Sequence, residues 1–331
     1  MTMQQGLVAF DVGARTHAFA ATVGGREETG EVSNTPEAIA RFLARLQARC
    51  GRLRVVMEST GIYYLDLAVQ VVEAGAEVMV LNPKAAHHFA KAMSQRSKTD
   101  ALDARMLLTY LQRMDFVPWQ PPARQMLELR QLGRHLCRLA EQKVRLKNQL
   151  HALGSTRTSP QVVIEDVQED LATLERRIDR LSAEALTRVR ADAAIAERFD
   201  ALDSITGVGT TSALALLAEL LVLPRDMNSR ACVCHAGLDV RIHRSGTSVD
   251  LAPRLSKHGN KYLRRALYMP AMAAIVHDPH AKAFRDRLVA RGKKKMQALA
   301  AVMRKLLTAA WALIRNPAPY DGAKLFATLQ A

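Results

Sequence analysis

The sequence is short of cysteine and contains no site pattern that its few cysteines would fit. Four cysteines in 331 residues are too few for a disulfide framework. The run Cys232-Val233-Cys234-His235 leaves one residue between its cysteines, which is short for structural zinc, and no second ligand pair follows at standard spacing. We therefore expect thiols that are buried as small apolar groups.

Long apolar runs are also missing. No uninterrupted run reaches the roughly 18 residues of a membrane span, and the N-terminus lacks a basic region followed by an apolar one. Apolar residues still make up 49% of the chain, which excludes global disorder. These features predict a soluble, cytoplasmic protein with no membrane partner.

Acidic residues are scarce relative to basic ones. The chain has 32 Asp and Glu against 47 Lys and Arg, a net charge of +15. A surplus of this size indicates a polyanionic partner, and nucleic acid is favoured over a membrane surface.

The first third alternates short apolar runs with amphipathic segments, which predicts a mixed α/β sheet in an N-terminal domain, residues 1–122. Two of the predicted strands end in an acid: Gly6–Gly13 contains Asp11, and Leu53–Met57 is followed by Glu58. The other predicted elements are strands at Thr16–Val23, Glu28–Val32 and Ala76–Leu81 and helices from Pro36 and Tyr63. Acids at strand ends can meet at one edge of a sheet.

Two further acids occupy the start of a predicted helix. Thr99 is a candidate N-cap, and Asp100 and Asp103 then project from one helical face. If this helix covers the sheet edge, then Asp11, Glu58, Asp100 and Asp103 can hold one or two divalent cations for phosphodiester chemistry. The alternatives are an acidic, solvated first turn and an Asp11 that only caps the following turn.

Pro118–Pro122 is a predicted linker, after which the sequence becomes helical. Residues 123–198 form two amphipathic stretches with a break at Gly154–Pro160, which predicts an antiparallel or intermolecular coiled coil for oligomerisation. Residues 199–331 should be mainly helical. Within them, Ile205–Gly209 fits either a helix-hairpin-helix turn that approaches phosphates or a plain packing turn, and the tail from Asn316 is expected to be loosely packed.

A basic, serine-containing segment is the second feature with chemical meaning. Ser245-Gly246-Thr247-Ser248 follows Arg241 and Arg244, and cations beside a serine can stabilise its alkoxide and the charge of a pentacovalent phosphate. A hydrophilic turn is the alternative. The residues predicted to contact nucleic acid are Arg241, Arg244, Lys257, Arg264, Arg265, Arg285, Arg291, Lys293, Lys294 and Lys295, with a solvated basic surface as the alternative.

Several motifs in this order resemble those of the DEDD-type transposases of bacterial insertion sequences, the RNA-guided recombinase family. They are Asp11 near the N-terminus, Glu58-Ser59-Thr60-Gly61 after a later strand, Asn82-Pro83, the run Lys98–Arg105, Arg244–Ser248 and the downstream Leu263–Pro270. The resemblance covers essentially the whole chain. It implies an N-terminal domain with the RNase H-like fold of RuvC-type resolvases and a C-terminal transposase domain.

The resemblance also implies a mechanism. Asp11, Glu58, Asp100 and Asp103 would bind Mg²⁺ or Mn²⁺, and Ser245 would form a covalent link to DNA. Thr247 stands where the family usually has a second serine, and Ser248 is the nearest alternative nucleophile. The family implies donor and target DNA as substrates, a structured noncoding guide RNA, and a homo-oligomer, dimer or tetramer, in which one subunit's acids work with another's serine.

Two other functions compete with this one. A RuvC-like metal-dependent endonuclease or junction resolvase would activate water with the four acids and form no covalent intermediate, but it would not need the long helical and basic region that follows. A nucleic-acid-binding scaffold would use the acids only structurally. A covalent DNA adduct, metal-dependent cleavage without an adduct, or binding alone would distinguish the three.

Overall fold

A computed structural model describes residues 5–59, 61–93, 99–245 and 249–327; for 243–245 and 249–251 the description covers the backbone. The chain divides into two compact units, Met1–Pro121 and Pro122–Ala331. The division falls inside the predicted linker. The predicted fold class is confirmed, with a mixed α/β sheet first and a mostly helical region after it. The further domain boundary at residue 198 stays a prediction.

The first unit follows the predicted order of strands and helices. Its elements are β1 (Gln5–Val12), β2 (Thr16–Val23), β3 (Arg26–Ser33), α1 (Pro36–Gln47), β4 (Arg52–Glu58), α2 (Tyr63–Glu73), β5 (Glu77–Leu81), α3 (Pro83–Ala92) and α4 (Asp100–Arg113). Helix starts lie where capping residues predict them: Thr35 Oγ1 accepts a hydrogen bond from the Ala38 amide at 3.3 Å, and Asn82 Oδ1 accepts one from Lys84 at 2.9 Å.

The five strands form one sheet in the order β3-β2-β1-β4-β5. β1, β2 and β3 are an antiparallel meander, whereas β4 pairs parallel to β1 and β5 parallel to β4. Each parallel connection includes a helix, as is usual for parallel strands.

Side chains alternate between the two faces of this sheet, and each face has its own apolar core. One face, with Val8 and Phe10 of β1, packs on α1 and α2. The other face, with Ala9 and Val56, packs on α4 through Leu107 and Leu111. The small alanines on the second face let α4 lie close to the strands.

Helices dominate the second unit. Its elements are α5 (Arg124–Gly154), α6 (Gln161–Arg190), α7 (Ala193–Asp203), α8 (Thr210–Leu220), α9 (Ser229–Ala236), β6 (Val240–Ser245), β7 (Val249–Leu255), α10 (Lys261–His277), α11 (Pro279–Ala290), α12 (Lys295–Arg315) and α13 (Gly322–Phe326). The antiparallel hairpin β6–β7 was not among the predicted elements.

Helices α5 and α6 fold back on each other as an antiparallel pair, with the break near the predicted Gly154–Pro160. Arg188 pairs with Glu128 at 3.1 Å near one end, and Lys143 pairs with Glu175 at 2.8 Å further along. The pair therefore forms within one chain. Its supercoiling and its role in oligomerisation stay predictions.

Helix α12 is the central element of the second core. Among the described residues it is the one helix long and apolar enough to cross a membrane by composition, but half of its apolar stretch is buried inside the unit. Trp311 is 1% exposed, and its indole N–H donates to the Met227 carbonyl at 3.0 Å. This is how a core helix packs, and no membrane protein is indicated.

Two expectations about packing need correction. The tail was predicted to be loose, but Phe326 of α13 is buried in the core and the Tyr320 hydroxyl donates to Asp278 Oδ2 at 2.8 Å. Cys50 and Cys232 are buried as expected, whereas Cys137 is only half-buried and Cys234 is exposed. Burial raises the pKa of the Cys232 thiol to about 12.

Candidate active site and nucleic-acid interface

Asp11 and Glu58 are neighbours at the carboxyl edge of the sheet. β1 and β4 pair in parallel with Phe10 opposite Met57, so the next residue on each strand is the acid. By alternation Asp11 shares a face with Ala9 and Glu58 with Val56, which is the face that α4 covers. Both acids are half-buried. The predicted convergence of the two strand ends is therefore present in the backbone.

The first turn of α4 lies at the same edge. After α4 ends, the Arg54 guanidinium lies 4.5 Å from the centre of the Phe116 ring, and the Trp119 amide donates to the Val78 carbonyl at 2.7 Å. Arg54 and Val78 belong to the amino ends of their strands, so α4 runs from the carboxyl edge toward the amino edge. Its length of about 20 Å matches that of the strands beneath it.

Local capping fixes Asp100 and Asp103 at this helix start. Thr99 Oγ1 accepts from the Leu102 amide at 3.3 Å, and the Asp103 amide donates to the Thr99 carbonyl at 2.9 Å. Asp100 is exposed and Asp103 half-buried. A carboxylate in this position also suits the partial positive charge of the helix N-terminus.

The four acids share an edge without forming a ligand cluster. Within residues 5–59, 61–93, 99–245 and 249–327, no group of three or more His, Cys, Asp or Glu side chains is arranged to hold a metal ion. Asp11, Glu58 and Asp103 each interact with other groups of the protein. Their chemistry does fit a hard divalent cation, which prefers carboxylate oxygens. Magnesium or manganese binding stays a prediction.

Ser245 is the last residue of β6 and pairs with Val249 across the hairpin. It therefore stands at the end of its strand. Gly246, Thr247 and Ser248 lie outside the described residues, and Arg244 is described by its backbone. The choice between Ser245 and Ser248 as nucleophile stays open.

Two arginines face each other across the base of the same hairpin. Arg241 of β6 lies directly opposite Arg254 of β7, and both are exposed. Like charges in this position repel and destabilise a free hairpin. A pair of phosphates would relieve the repulsion. Arg254 was not among the predicted contacts. Pro253 inside the segment argues against a strand, so nothing in the sequence indicated that Arg254 pairs with Arg241.

The other predicted contact residues divide into two groups. Arg264 donates to the Ala236 carbonyl at 2.9 Å, Arg265 pairs with Glu141, and Arg285 pairs with Asp286 at 2.8 Å. Each of these three cations is engaged by another group of the protein. The exposed ones are Lys257, Arg291, Lys293, Lys294 and Lys295.

An apolar groove with a basic rim runs beside the hairpin base. It has a volume of about 1040 Å³ and lies between α5, α8, α10 and α12. Leu136, Leu214 and Met303 contribute to its apolar lining, and Arg254 and Lys257 also line it. Sequence reasoning missed the groove because its walls come from segments far apart in the chain.

The turn between α7 and α8 is a packing element at Gly207. This residue has a φ of 92°, and a Cβ there would lie 2.6 Å from the Ala274 backbone nitrogen of α10. The packing alternative therefore accounts for this glycine. A phosphate contact at Gly209, the N-cap of α8, stays a prediction.

Comparison with known proteins gives two family matches in the expected order. Residues 8–153 match a model described as a transposase of the DEDD type, and residues 199–286 match one described as transposase of the IS116/IS110/IS902 family. The first match contains all four acids, and the second contains the hairpin.

Individual relatives agree with this assignment. A pilin gene-inverting protein of Moraxella lacunata is 30% identical over 81% of this chain and 82% of its own length. Its counterpart in Moraxella bovis is 28% identical over the same shares. A protein of insertion element IS110 from Streptomyces coelicolor is 36% identical over 36% of this chain and 29% of its own length. The chain thus belongs to the IS116/IS110/IS902 family of transposases, enzymes that act on DNA.

Proposed function

We propose that this transposase cuts and rejoins DNA strands through a covalent bond to Ser245, assisted by a divalent cation held by Asp11, Glu58, Asp100 and Asp103. The observation that carries the proposal is the acidic edge. Two half-buried acids end adjacent parallel strands, and the capped first turn of α4 adds two more on the same face. Four carboxylates at one edge of a protein with net charge +15 support a cation site there.

The proposed chemistry is a pair of transesterifications. The Ser245 hydroxyl loses its proton, its oxygen bonds to phosphorus, and the bond from phosphorus to the leaving strand's oxygen breaks, with a proton passing to that oxygen. The hydroxyl of the incoming strand then attacks the same phosphorus and releases the serine. A cation bound by the carboxylates would supply neutralisation of the charge that develops on the phosphate. Arg241 and Arg254, exposed on the same hairpin, would hold the neighbouring phosphates.

The partners of this reaction are also part of the proposal. Donor and target DNA would be brought together by a structured noncoding RNA, in a dimer or tetramer in which acids of one subunit serve the serine of another. The exposed cations Lys257, Arg291 and Lys293–Lys295 support contact with the phosphates of these nucleic acids. We place this activity in the cytoplasm, where the DNA and RNA of a bacterial element are available.

A denaturing gel tests the proposal directly. The protein is incubated with its element-end DNA, the flanking noncoding RNA and Mg²⁺, and adducts that survive denaturation are detected. We expect an adduct with the wild type, none with Ser245→Ala, and a loss of at least about 100-fold with Asp100→Ala, the order of magnitude that electrostatic stabilisation of a transition state supplies. Omitting the RNA should abolish the adduct as well.

Matched variants keep the result specific. Asp66→Ala removes another exposed first-turn acid, from α2 on the opposite face of the sheet, and should leave the adduct unchanged. Ser248→Ala tests the alternative nucleophile. Metal-dependent cleavage that persists in Ser245→Ala without any adduct would refute the serine mechanism and favour a resolvase-like nuclease. Binding without cleavage in the wild type would favour a scaffold.

A further inference from the structure

A buried carboxylate lies in the most apolar stretch of the second unit. Glu219 belongs to α8, whose other late residues are alanine and leucine, and its side chain is 3% exposed. Arg134 of α5 donates to both of its oxygens, from Nε at 2.5 Å and from Nη2 at 2.9 Å. A charge this well buried is costly unless its hydrogen bonds are complete, so its partners indicate what it is there to hold.

The second partner of Glu219 is Asn260, at the start of α10, which donates the third hydrogen bond. Asn260 Nδ2 donates to Glu219 Oε2 at 2.6 Å, while its own Oδ1 accepts from the amides of Tyr262 and Leu263. Its backbone amide donates to the His235 carbonyl at 2.7 Å. Asn260 therefore connects α8, α9 and α10. We call the contacts of Asn260 with Glu219 and His235 the joint, in which Glu219 fixes the Asn260 side chain.

Both strands of the hairpin β6–β7 are rooted at this joint. The Ser256 amide donates to the Asp239 carbonyl at 2.9 Å, and the Lys257 amide donates to the Gly237 carbonyl at 3.1 Å. Lys257 has a φ of 51°, which is strained for a residue with a side chain. Gly259 comes so close to the His235 carbonyl that a Cβ would lie 2.2 Å from its oxygen. The root thus has a single, tightly determined backbone path.

We propose that Glu219 is a positioning residue for strand cleavage, which holds the root of the hairpin, and with it Lys257 and Ser245, in one orientation. It touches no reacting group. It acts through Asn260 and Arg134, and its role rests on the proposed function of Ser245. The contacts run from Glu219 to Asn260 at the start of α10, and the backbone from Ser256 to Asn260 connects that residue to β7.

Glu219→Gln is the most conservative perturbation. The carboxylate accepts three hydrogen bonds here, whereas an amide has one accepting oxygen and an NH₂ group that itself donates. At least one donor of Arg134 or Asn260 then faces another donor. An unsatisfied buried polar group carries a large free-energy penalty. We therefore expect the joint to open at least about ten times as often as in the wild type.

Two readouts on the full-length protein test this. Amide hydrogen exchange of residues 238–260 should be about tenfold faster in Glu219→Gln. The rate of adduct formation at saturating DNA should fall by about tenfold, whereas the Kd for DNA should change less than about twofold because no exposed cation is removed. Asn260→Ala should behave alike, and the double variant should be little worse than either single one, since both break the same joint.

Asp278→Asn is the matched control. Asp278 is also a buried carboxylate of the second unit, 4% exposed, but it caps α11 and accepts from Tyr320. It should lower the Tm without changing exchange in residues 238–260 or the adduct rate. If Asp278→Asn slows the adduct equally, or if Glu219→Gln leaves hairpin exchange unchanged, the positioning role is refuted. If the wild type forms no adduct but the exchange result holds, the serine mechanism fails and the role of Glu219 in holding the hairpin stands.

Discussion

Replacing Arg254 by glutamine should stabilise the free protein and weaken its binding to DNA. Arg254 and Arg241 lie opposite each other at the base of the hairpin β6–β7, and both are exposed. In the free protein the two guanidinium groups repel. On a phosphate backbone the same two charges become favourable. One substitution therefore has effects of opposite sign on folding and on binding.

The magnitudes follow from the pairing. Like charges directly opposite across an antiparallel pair cost about 0.2–1 kcal/mol, so Arg254→Gln should raise the Tm by about 1–4 °C. Loss of one phosphate contact lowers the slope of log K against log salt by about 0.9 for duplex DNA and about 0.7 for a single strand. When the salt concentration rises fourfold, the factor by which the binding constant falls should then be about 3.5 times smaller for the variant than for the wild type.

Thermal melting without DNA and fluorescence anisotropy titrations at several salt concentrations measure both effects. Arg26→Gln is the control, because Arg26 is also an exposed strand arginine beside a hairpin turn but lies opposite Val23. It should leave both the Tm and the salt slope nearly unchanged. A destabilised Arg254→Gln protein, or one with an unchanged salt slope, would refute the reasoning about the arginine pair.

Two predictions concern stability alone. Burial lowers the pKa of His17 in the folded state more strongly than nearby Asn34 raises it, so the unfolded chain binds the proton better than the folded one. The wild type should therefore lose stability as the pH falls below about 6.5. In pH-dependent melts, His17→Phe should lose less stability over the same pH range. An equal pH slope in both proteins would contradict this. Gly207→Ala should cost at least about 2 kcal/mol in denaturant unfolding, because it adds a clash with α10 to the strain of a positive φ. Gly292→Ala, with a φ of 82° and open space around its Cβ, should cost only the strain, and equal losses in both would show that the contact with α10 is unimportant.

The first unit was predictable because its signals are local. Capping residues such as Thr35 and Thr99 mark helix starts, and short apolar runs that end in an acid mark the strands and their edges. Parallel pairing of β1 with β4 then follows from the intervening helix, and it places Asp11 beside Glu58. What the sequence did not determine is the separation of the carboxylates, which depends on rotamers and on a cation rather than on backbone pattern.

The second unit was harder to predict because its key contacts join distant segments. The bonds of Glu219 to Arg134 and Asn260 span 85 and 41 positions, and no periodicity marks such a triad. The tail was misjudged for the same reason. Pro317 and Pro319 suggested an open end, but the contact of Tyr320 with Asp278 closes it, 42 positions away in the chain.

The paired helices α5 and α6 form a long antiparallel hairpin. At about 1.5 Å per residue, their 31 and 30 residues make an arm about 45 Å long. The two helices are antiparallel, so insertions or deletions of matching turns on both sides of Gly154–Pro160 would change the reach of the arm and leave the helical core at its base intact. The length of the hairpin can therefore change without redesign of the helices that form the core at its base.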